Sequence, residues 1–343
     1  MPMPPVKIPI IDFNPPRYIC RKTRMKLGEP DGRLDKPFWE QGEWIEDFQD
    51  IEGDSMPRPF KRTQAKMLWD EDYLYVGAKL WDDEIWATVT ERDAIIFVDN
   101  DFEVFMAPQD TTHRYYELEM NALGTVWDLL MEKPNRDRVH RIISWDIKGL
   151  KSAVHVEGEI NNPAADNRYW SLELAIPWYS LRECEVDNCQ PAHLTPDLGE
   201  IWRMNFSRVH WRVEVKDGRY VKCIDPATGK PYPEYNWVWA PTGLIDIHLP
   251  ELWSFVYFGD EEQSFELPAD EQVKWELRKL FYRQRNWIHA HGAYTTSFDD
   301  LKGTDVWTIK PQIHVTPNLF EISAPASQGT LHVRQDGYLW REA

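Results

Sequence analysis

Carboxylates and aromatic rings are the side chains here that could do chemistry, because the common catalytic signatures do not occur. The chain has no Gly-x-Ser-x-Gly elbow and no His-Glu-x-x-His pair. Its four cysteines, Cys20, Cys184, Cys189 and Cys223, form no Cys-x-x-Cys pair, which argues against a zinc knuckle or a thioredoxin-type redox site. Cys184 and Cys189 could bridge in an oxidising compartment or remain thiols. His289 and His291 flank Ala290. Side chains two apart do not share a helix face, so capping or solvated histidines are expected. Met106, Met120 and Met204, with His113, His155 or His210, are haem-ligand types, but nothing singles out an axial pair. No haem and no nucleotide cofactor is expected. Glu117, Glu119 and Asn121 alternate with Tyr116, Leu118 and Met120, which puts a polar row on one face of a strand. The loops Asp82-Asp83-Glu84 and Asp99-Asn100-Asp101 are rich in oxygen ligands. Structural calcium is the metal such loops could hold, through Asp82, Asp83, Asp99 and Asp101; solvated acidic turns are the alternative. Glycoside cleavage needs two carboxylates a few ångströms apart, one with a raised pKa. With 57 acidic residues some pairing is guaranteed, so proximity alone assigns no catalytic pair.

The elements that must position these groups read mostly as strands. Thr63–Trp69 and Tyr73–Leu80 flank Asp70-Glu71-Asp72 and predict a hairpin. Phe102–Met106, Tyr115–Leu130 with a turn or bulge at Gly124, Ala153–Ile160, Trp170–Ile176, Glu200–Glu214 and Leu252–Phe258 follow. Past Gly259 the period changes. Val273, Leu277, Leu280, Phe281, Gln284, Trp287 and Ile288 fall at helical spacing, with Asp270 as the expected N-cap and Gly292 as the stop. Short strands are then expected at Val306–Ile309, Gln312–Val315, Leu319–Ile322 and Thr330–Val333. An Asp336-Gly337 turn precedes Tyr338, Leu339 and Trp340. The expected fold is all-β: an antiparallel β-sandwich, jelly-roll-like, with a C-terminal helix-plus-strands extension. The expected division is an N-terminal extension over 1–27, a sandwich over 28–259 and the extension over 260–343.

The net charge of −18 excludes nucleic acid and anionic membranes as natural partners. No apolar run is long enough to span a bilayer. No signal peptide is visible at Met1–Pro5, which leaves a cytoplasmic location open. The 18 tryptophans fit a core, a stacking surface or both.

Six segments, in order, carry a resemblance. They are Pro30–Trp39, Lys66–Gly77, Asp99–Phe105, Tyr115–Thr125, Trp170–Trp178 and Gly199–Arg208. Over roughly 28 to 258 they resemble the family 9 carbohydrate-binding modules. The resemblance implies a β-sandwich whose concave face holds a sugar between two aromatic rings without cleaving it. It implies a plant-type polysaccharide or oligosaccharide as ligand and an extracytoplasmic location. Independently of family, a pyranose packs its C–H face on an aromatic ring and needs its hydroxyls paired. By resemblance, Glu103 is the acidic hydroxyl acceptor and Asn121 the amide. Glu119 stands where characterised modules place a basic residue. Phe97 replaces one stacking tryptophan. The second ring falls in Asn236-Trp237-Val238-Trp239, with Trp239 favoured and Asn236 as a hydroxyl partner. The polar group of the late strand is Ser207 or Arg208, because a one-residue slip reverses facing. Two other readings stay open. One is a glycan-active hydrolase or lyase using paired carboxylates. The other is a protein-interaction module, docking through the extension with Trp275, Phe281 and Trp287 or through a degenerate sugar face.

Overall fold

Two short apolar runs separated by three acidic residues fold back on each other as the computed structural model shows: Thr63–Trp69 pairs antiparallel with Tyr73–Trp81. Described residues are 3–137, 140–181, 183–184, 195–260 and 265–343; Cys189 lies outside them. In chain order the strands are β1 (Arg17–Lys22), β2 (Gln49–Asp50), β3 (Thr63–Trp69), β4 (Tyr73–Trp81), β5 (Asp101–Ala107), β6 (Tyr115–Asn121), β7 (Val126–Lys133) and β8 (His140–Ile142). Next come β9 (Lys151–Glu157), β10 (Tyr169–Pro177), β11 (Ile201–His210), β12 (Val213–Lys216), β13 (Arg219–Lys222), β14 (Tyr235–Val238) and β15 (Ser254–Gly259). The tail holds α1 (Glu271–His291), α2 (Phe298–Leu301), β16 (Gln312–Val315), β17 (Phe320–Pro325), β18 (Thr330–Arg334) and β19 (Leu339–Glu342).

One sheet runs β8-β7-β6-β5-β11-β15-β1-β3-β4-β10-β9, with β14 and β2 branching from β11. It folds over so that its two halves enclose one core, which makes a β-sandwich. Rings from both halves interlock there, Trp178 against Trp202 at 5.6 Å and Trp69 against Phe258 at 5.6 Å. Each such ring, fully buried, contributes roughly 1.5–3 kcal/mol. β1 corrects the expected boundary at residue 27. It lies in the middle of the sheet, parallel to both β15 and β3, so residues 17–22 are core and the sheet is not purely antiparallel.

The Pro30–Trp39 segment has a structural task. Glu173, fully buried on β10, accepts hydrogen bonds from the Asp31 and Gly32 amides at 2.8 and 2.9 Å and from Trp39 Nε1 at 2.6 Å, and pairs with Lys36 at 2.7 Å. Gly32 sits at φ +81° with β9 backbone only 2.2 Å from where a Cβ would stand, so the loop can close on the sheet only through glycine.

Helix α1 stops at Gly292 (φ +80°) as its sequence predicts. Two tail expectations change. Asp270 stands at the N-cap position of α1 as expected, but its carboxylate accepts from Ser327 and Arg341 and not from a helix amide. Val306–Ile309 is no strand, because the Thr308 and Ile309 amides are taken by the buried Glu276 carboxylate of α1. The sheet β16–β19 packs on α1 around a second core. The N-terminal segment joins it: Phe13 stacks on Trp275 at 5.2 Å, and Asn286 exchanges two hydrogen bonds with the Val6 backbone. Trp275 and Phe281 are thus buried inside the chain, and Trp287 stacks on His291 at 3.6 Å. The burial of Trp275 and Phe281 corrects the expectation that those two rings face a partner, while Trp287 is half-buried.

Candidate functional site

Alternation along β5, β6, β7 and β11 sends one set of side chains into the main core and the other to the opposite face of the sheet. Phe102, Val104, Leu118, Met120 and Phe206 belong to the core set. The opposite set includes Glu103, Glu117, Glu119, Trp127 and Ser207, brought together by direct cross-strand pairing: Ser207 opposite Glu103, Glu103 opposite Glu119, Glu119 opposite Trp127. These residues floor a cleft of about 320 Å³, with Phe97, Arg141, Glu234, Asn236 and His248 around it.

Phe97 is the exposed ring, at 40% exposure, held by a short 3-10 turn. Its amide donates to Glu119 Oε2 at 3.1 Å, and its carbonyl accepts from Trp211 Nε1 at 2.9 Å. Trp127 lies beside it, with ring centres 6.3 Å apart and planes 32° from parallel. The Trp127 indole N–H is buried without an acceptor. Sequence reasoning passed over Trp127. Its place opposite Glu119 in the β6–β7 hairpin is the signal that finds it.

The carboxyls are the unusual feature. Asp101, Glu103, Glu117 and Glu119 are all buried. Burial raises Glu103 to about 7 against the pull of Ser207, with Glu234 adding to the rise. Burial, then Glu103, raises Glu117 to about 8, opposed by Arg141. Asp101 and Glu119 are pushed well above the carboxylate range by burial and by their neighbours' charge. His248 is driven down to about 4, chiefly by burial, and its Nδ1 sits 2.7 Å from Tyr115 Oη.

The other expected residues divide. Asn236 lines the cleft with Ser207, because it pairs with Val209 across β14 and β11. Arg208, one residue on, points into the interior and pairs with Asp82 at 2.7 Å, so the late-strand polar group is Ser207. Trp237 and Trp239 share the buried face of β14 and its continuation. Trp237 stacks on His210 at 4.9 Å and Trp239 on Phe206 at 5.6 Å, both about 1% exposed. This corrects the expectation that a tryptophan of this segment supplies the second ring: Trp-x-Trp puts both rings on one face, and that face is core. Asn121 is turned into the β6–β7 turn. Its Nδ2 donates to Val89 O and to Asp99, and its Oδ1 accepts from the Leu123 and Thr125 amides.

The expected calcium ligands are not one group. Asp82 is bound to Arg208, while Asp83, exposed, pairs with Lys61. Together with Glu84 they offer oxygens within 4.8 Å of one another, but Arg208 and Lys61 already supply the positive charge. Asp99 is saturated by Thr88 N and Oγ1, Val89 N and Asn121 Nδ2, all at 2.7–3.1 Å. Asp101 turns instead toward Glu103 and Glu119, and the three offer oxygens within 4.8 Å of one another.

Comparison with known proteins adds a family match over part of the chain. The model for the carbohydrate family 9 binding domain-like family matches residues 31–192. No curated protein matches the sequence. Among solved structures, the fold is similar to a candidate carbohydrate-binding protein from Bacteroides uniformis, at 16% identity and a TM-score of 0.50, covering 71% of this chain and 100% of that one. It also matches a family 9 module from Caldicellulosiruptor kristjanssonii in complex with cellotriose, at 14% identity and a TM-score of 0.44, covering 74% of this chain and 98% of that one. At these identities the likeness to solved structures is one of fold. The matched segment, residues 31–192, is similar to the carbohydrate family 9 binding domain-like family and includes Phe97, Asp101, Glu103, Glu117 and Glu119.

Proposed function

We propose that the cleft holds a saccharide unit on the Phe97–Trp127 platform, with Glu103, Glu119, Ser207 and Asn236 pairing its hydroxyls, and does not cleave it. The observation that carries this reading is an exposed ring set beside polar side chains that one sheet face brings to one cleft. A flat C–H face suits the ring, and the unpartnered Trp127 N–H suits a hydroxyl oxygen. One ring pair on one side makes a platform, not the two-sided slot that the sequence suggested. Binding of a polymeric glycan would place the protein outside the cytoplasm, where such polymers are met.

Hydrolysis fits the carboxyls less well. Acid–base work needs one carboxyl protonated and its partner ionised. Here burial pushes Asp101, Glu103, Glu117 and Glu119 in the same direction. The test is calorimetric titration with cello-, xylo- and other oligosaccharides, followed by chromatography of the same mixtures. Binding with unchanged glycans, weakened at least about 10-fold in Phe97→Ala, is expected. Absence of heat across the panel would remove the binding reading, and shortened glycans would remove the non-catalytic one.

A further inference from the structure

A small cavity lies in the seam where the sandwich, helix α1 and the N-terminal segment meet. Its volume is about 30 Å³, and Phe13, Thr111, Arg203, Lys274 and Arg278 are among the residues that line it. That space takes a group about the size of one or two waters, far below the roughly 300 Å³ of a site for an organic ligand. Arg278 is 4% exposed and donates Nη1 to the Gly337 carbonyl. Arg203 donates Nε and Nη2 to the Pro250 and Glu251 carbonyls, while its Nη1 is buried without a partner. The hydroxyl of Thr111, a residue 8% exposed, is buried and unpartnered too. Among the described residues neither guanidinium has a carboxylate at ion-pair distance. The three acids of the cavity wall are engaged elsewhere: Glu251 with Arg136 at 2.6 Å, and Asp110 and Glu271 each with Lys274 at 2.5 Å. They act on Arg203 only from farther off, and burial outweighs them, bringing its guanidinium down to about 10. Arg136, Arg203, Lys274 and Arg278 thus face Asp110, Glu251 and Glu271, which leaves one positive charge over in a chain whose net charge is −18.

We infer that this cavity is a binding site for one small monovalent anion, with chloride the ion it suits. The groups left without partners, Arg203 Nη1 and the Thr111 hydroxyl, are both hydrogen-bond donors. Water could accept from them, but it would leave the surplus positive charge in place. An anion answers the donors and the charge together. Sulfate and phosphate, with four oxygens around one centre, exceed the space. The side chains come from three parts of the chain: Thr111 from the turn between β5 and β6, Arg203 from β11, and Arg278 from α1. An ion held among them therefore ties the C-terminal extension to the sandwich. Asp110, with its side chain 67% exposed, marks the edge of the cavity through which the ion would exchange with solvent.

The test melts the full chain in sodium gluconate while sodium chloride replaces it at constant ionic strength. The chloride NMR line width of the same samples gives a second readout, since an ion exchanging with a protein site broadens the signal. A saturable rise in melting temperature and excess broadening are expected in the wild type. Arg203→Met and Thr111→Val should each weaken the apparent chloride affinity about 10-fold or more. Thr111→Val nearly keeps the shape of the side chain and removes the donor, so it decides the matter even where Arg203→Met fails to fold. Phe97→Ala, at the saccharide cleft, and Lys302→Gln, in an exposed pair with Asp299, should leave the chloride effect unchanged. Sodium sulfate should give only the unsaturated rise of an excluded salt. A wild type with no saturable chloride dependence and no broadening would overturn the inference. So would a chloride effect that persists in Thr111→Val and Arg203→Met, or one that sulfate reproduces at the same concentrations.

Discussion

Two clusters of buried charge lie against the same face of the large sheet, and β11 touches both, with Ser207 at one and Arg203 at the other. At the Arg203 end the two carboxylates, Glu251 and Asp137, each meet an arginine. Arg136 pairs with Glu251 at 2.6 Å, Tyr282 donates to the same Glu251 oxygen, and Arg203 donates to the backbone carbonyls of Pro250 and Glu251. Arg285 binds Asp137 beside them, with both side chains fully buried. Burial alone would raise the Glu251 carboxyl, but Arg136 and Arg278 outweigh it and hold it below its ordinary range. Helix α1 supplies Arg278, Tyr282 and Arg285 to this cluster. At the Ser207 end the carboxyls are as deeply placed, face an open cleft, and are raised instead of lowered. Carboxylates that serve the fold are neutralised within the chain. Carboxyls without a basic partner at hydrogen-bond distance are instead pushed toward the neutral form by burial.

Four measurements break or sharpen this contrast. The largest effect is expected at Glu251. Glu251→Ala strands Arg136 and Arg278 in the interior and should lower the unfolding free energy in urea by about 3–5 kcal/mol. Glu117→Gln, at the other end, should have the opposite sign: removing a buried carboxyl on which burial and Glu103 outweigh Arg141 should leave the protein unchanged or up to about 1 kcal/mol more stable at pH 8. A loss of several kcal/mol there would mean that the two clusters are alike.

The third is the pH profile of stability. Glu117 has a folded pKa of about 8 against an unfolded value near the ordinary 4.5. Its contribution is complete below about pH 4.5 and is lost as pH rises to about 8. His210, lowered to about 3, and His248, lowered to about 4, both mainly by burial, act oppositely. Their contribution is present above about pH 6.5 and is lost as pH falls toward 3–4. Denaturation of the protein between pH 4 and 8 should show both limbs, with Glu117→Gln flattening only the alkaline one. The smallest effect belongs to Phe97. Because its ring is 40% exposed, Phe97→Ala should shift stability by no more than about 0.5 kcal/mol, so any loss of sugar binding would report the site and not the fold.

Local patterns in the sequence were enough for β3–β7, β9–β11 and β15 of the sandwich, for α1 and its glycine stop, and for the polar face of β6. Each depends on a period of two or 3.6 residues that neighbouring side chains carry among themselves. Phe97, Glu103, Glu119, Ser207 and Asn236 do meet in one cleft, and the sequence placed them together through their order along a known family pattern. Trp237 and Trp239 show the limit. Their two-residue spacing fixes that they share a face, but which face is core depends on β14 lying against β11 in a particular register. Asp99 and Asp101, two apart in one loop and strand start, part for the same reason: one is drawn to the Thr88–Val89 amides and the other to Glu103.

By itself, then, the sequence determined most strands between Thr63 and Phe258, helix α1, and which residue types those strand faces present, since alternation and helical period are local properties. Only the tertiary structure decided that β1 enters the sheet centre, that the tryptophans near residue 238 are core, that Trp127 joins Phe97, and that four carboxyls are buried together at the cleft floor. Those outcomes depend on which distant strands pair and on what packs over them, and a residue's chain neighbours carry no record of either.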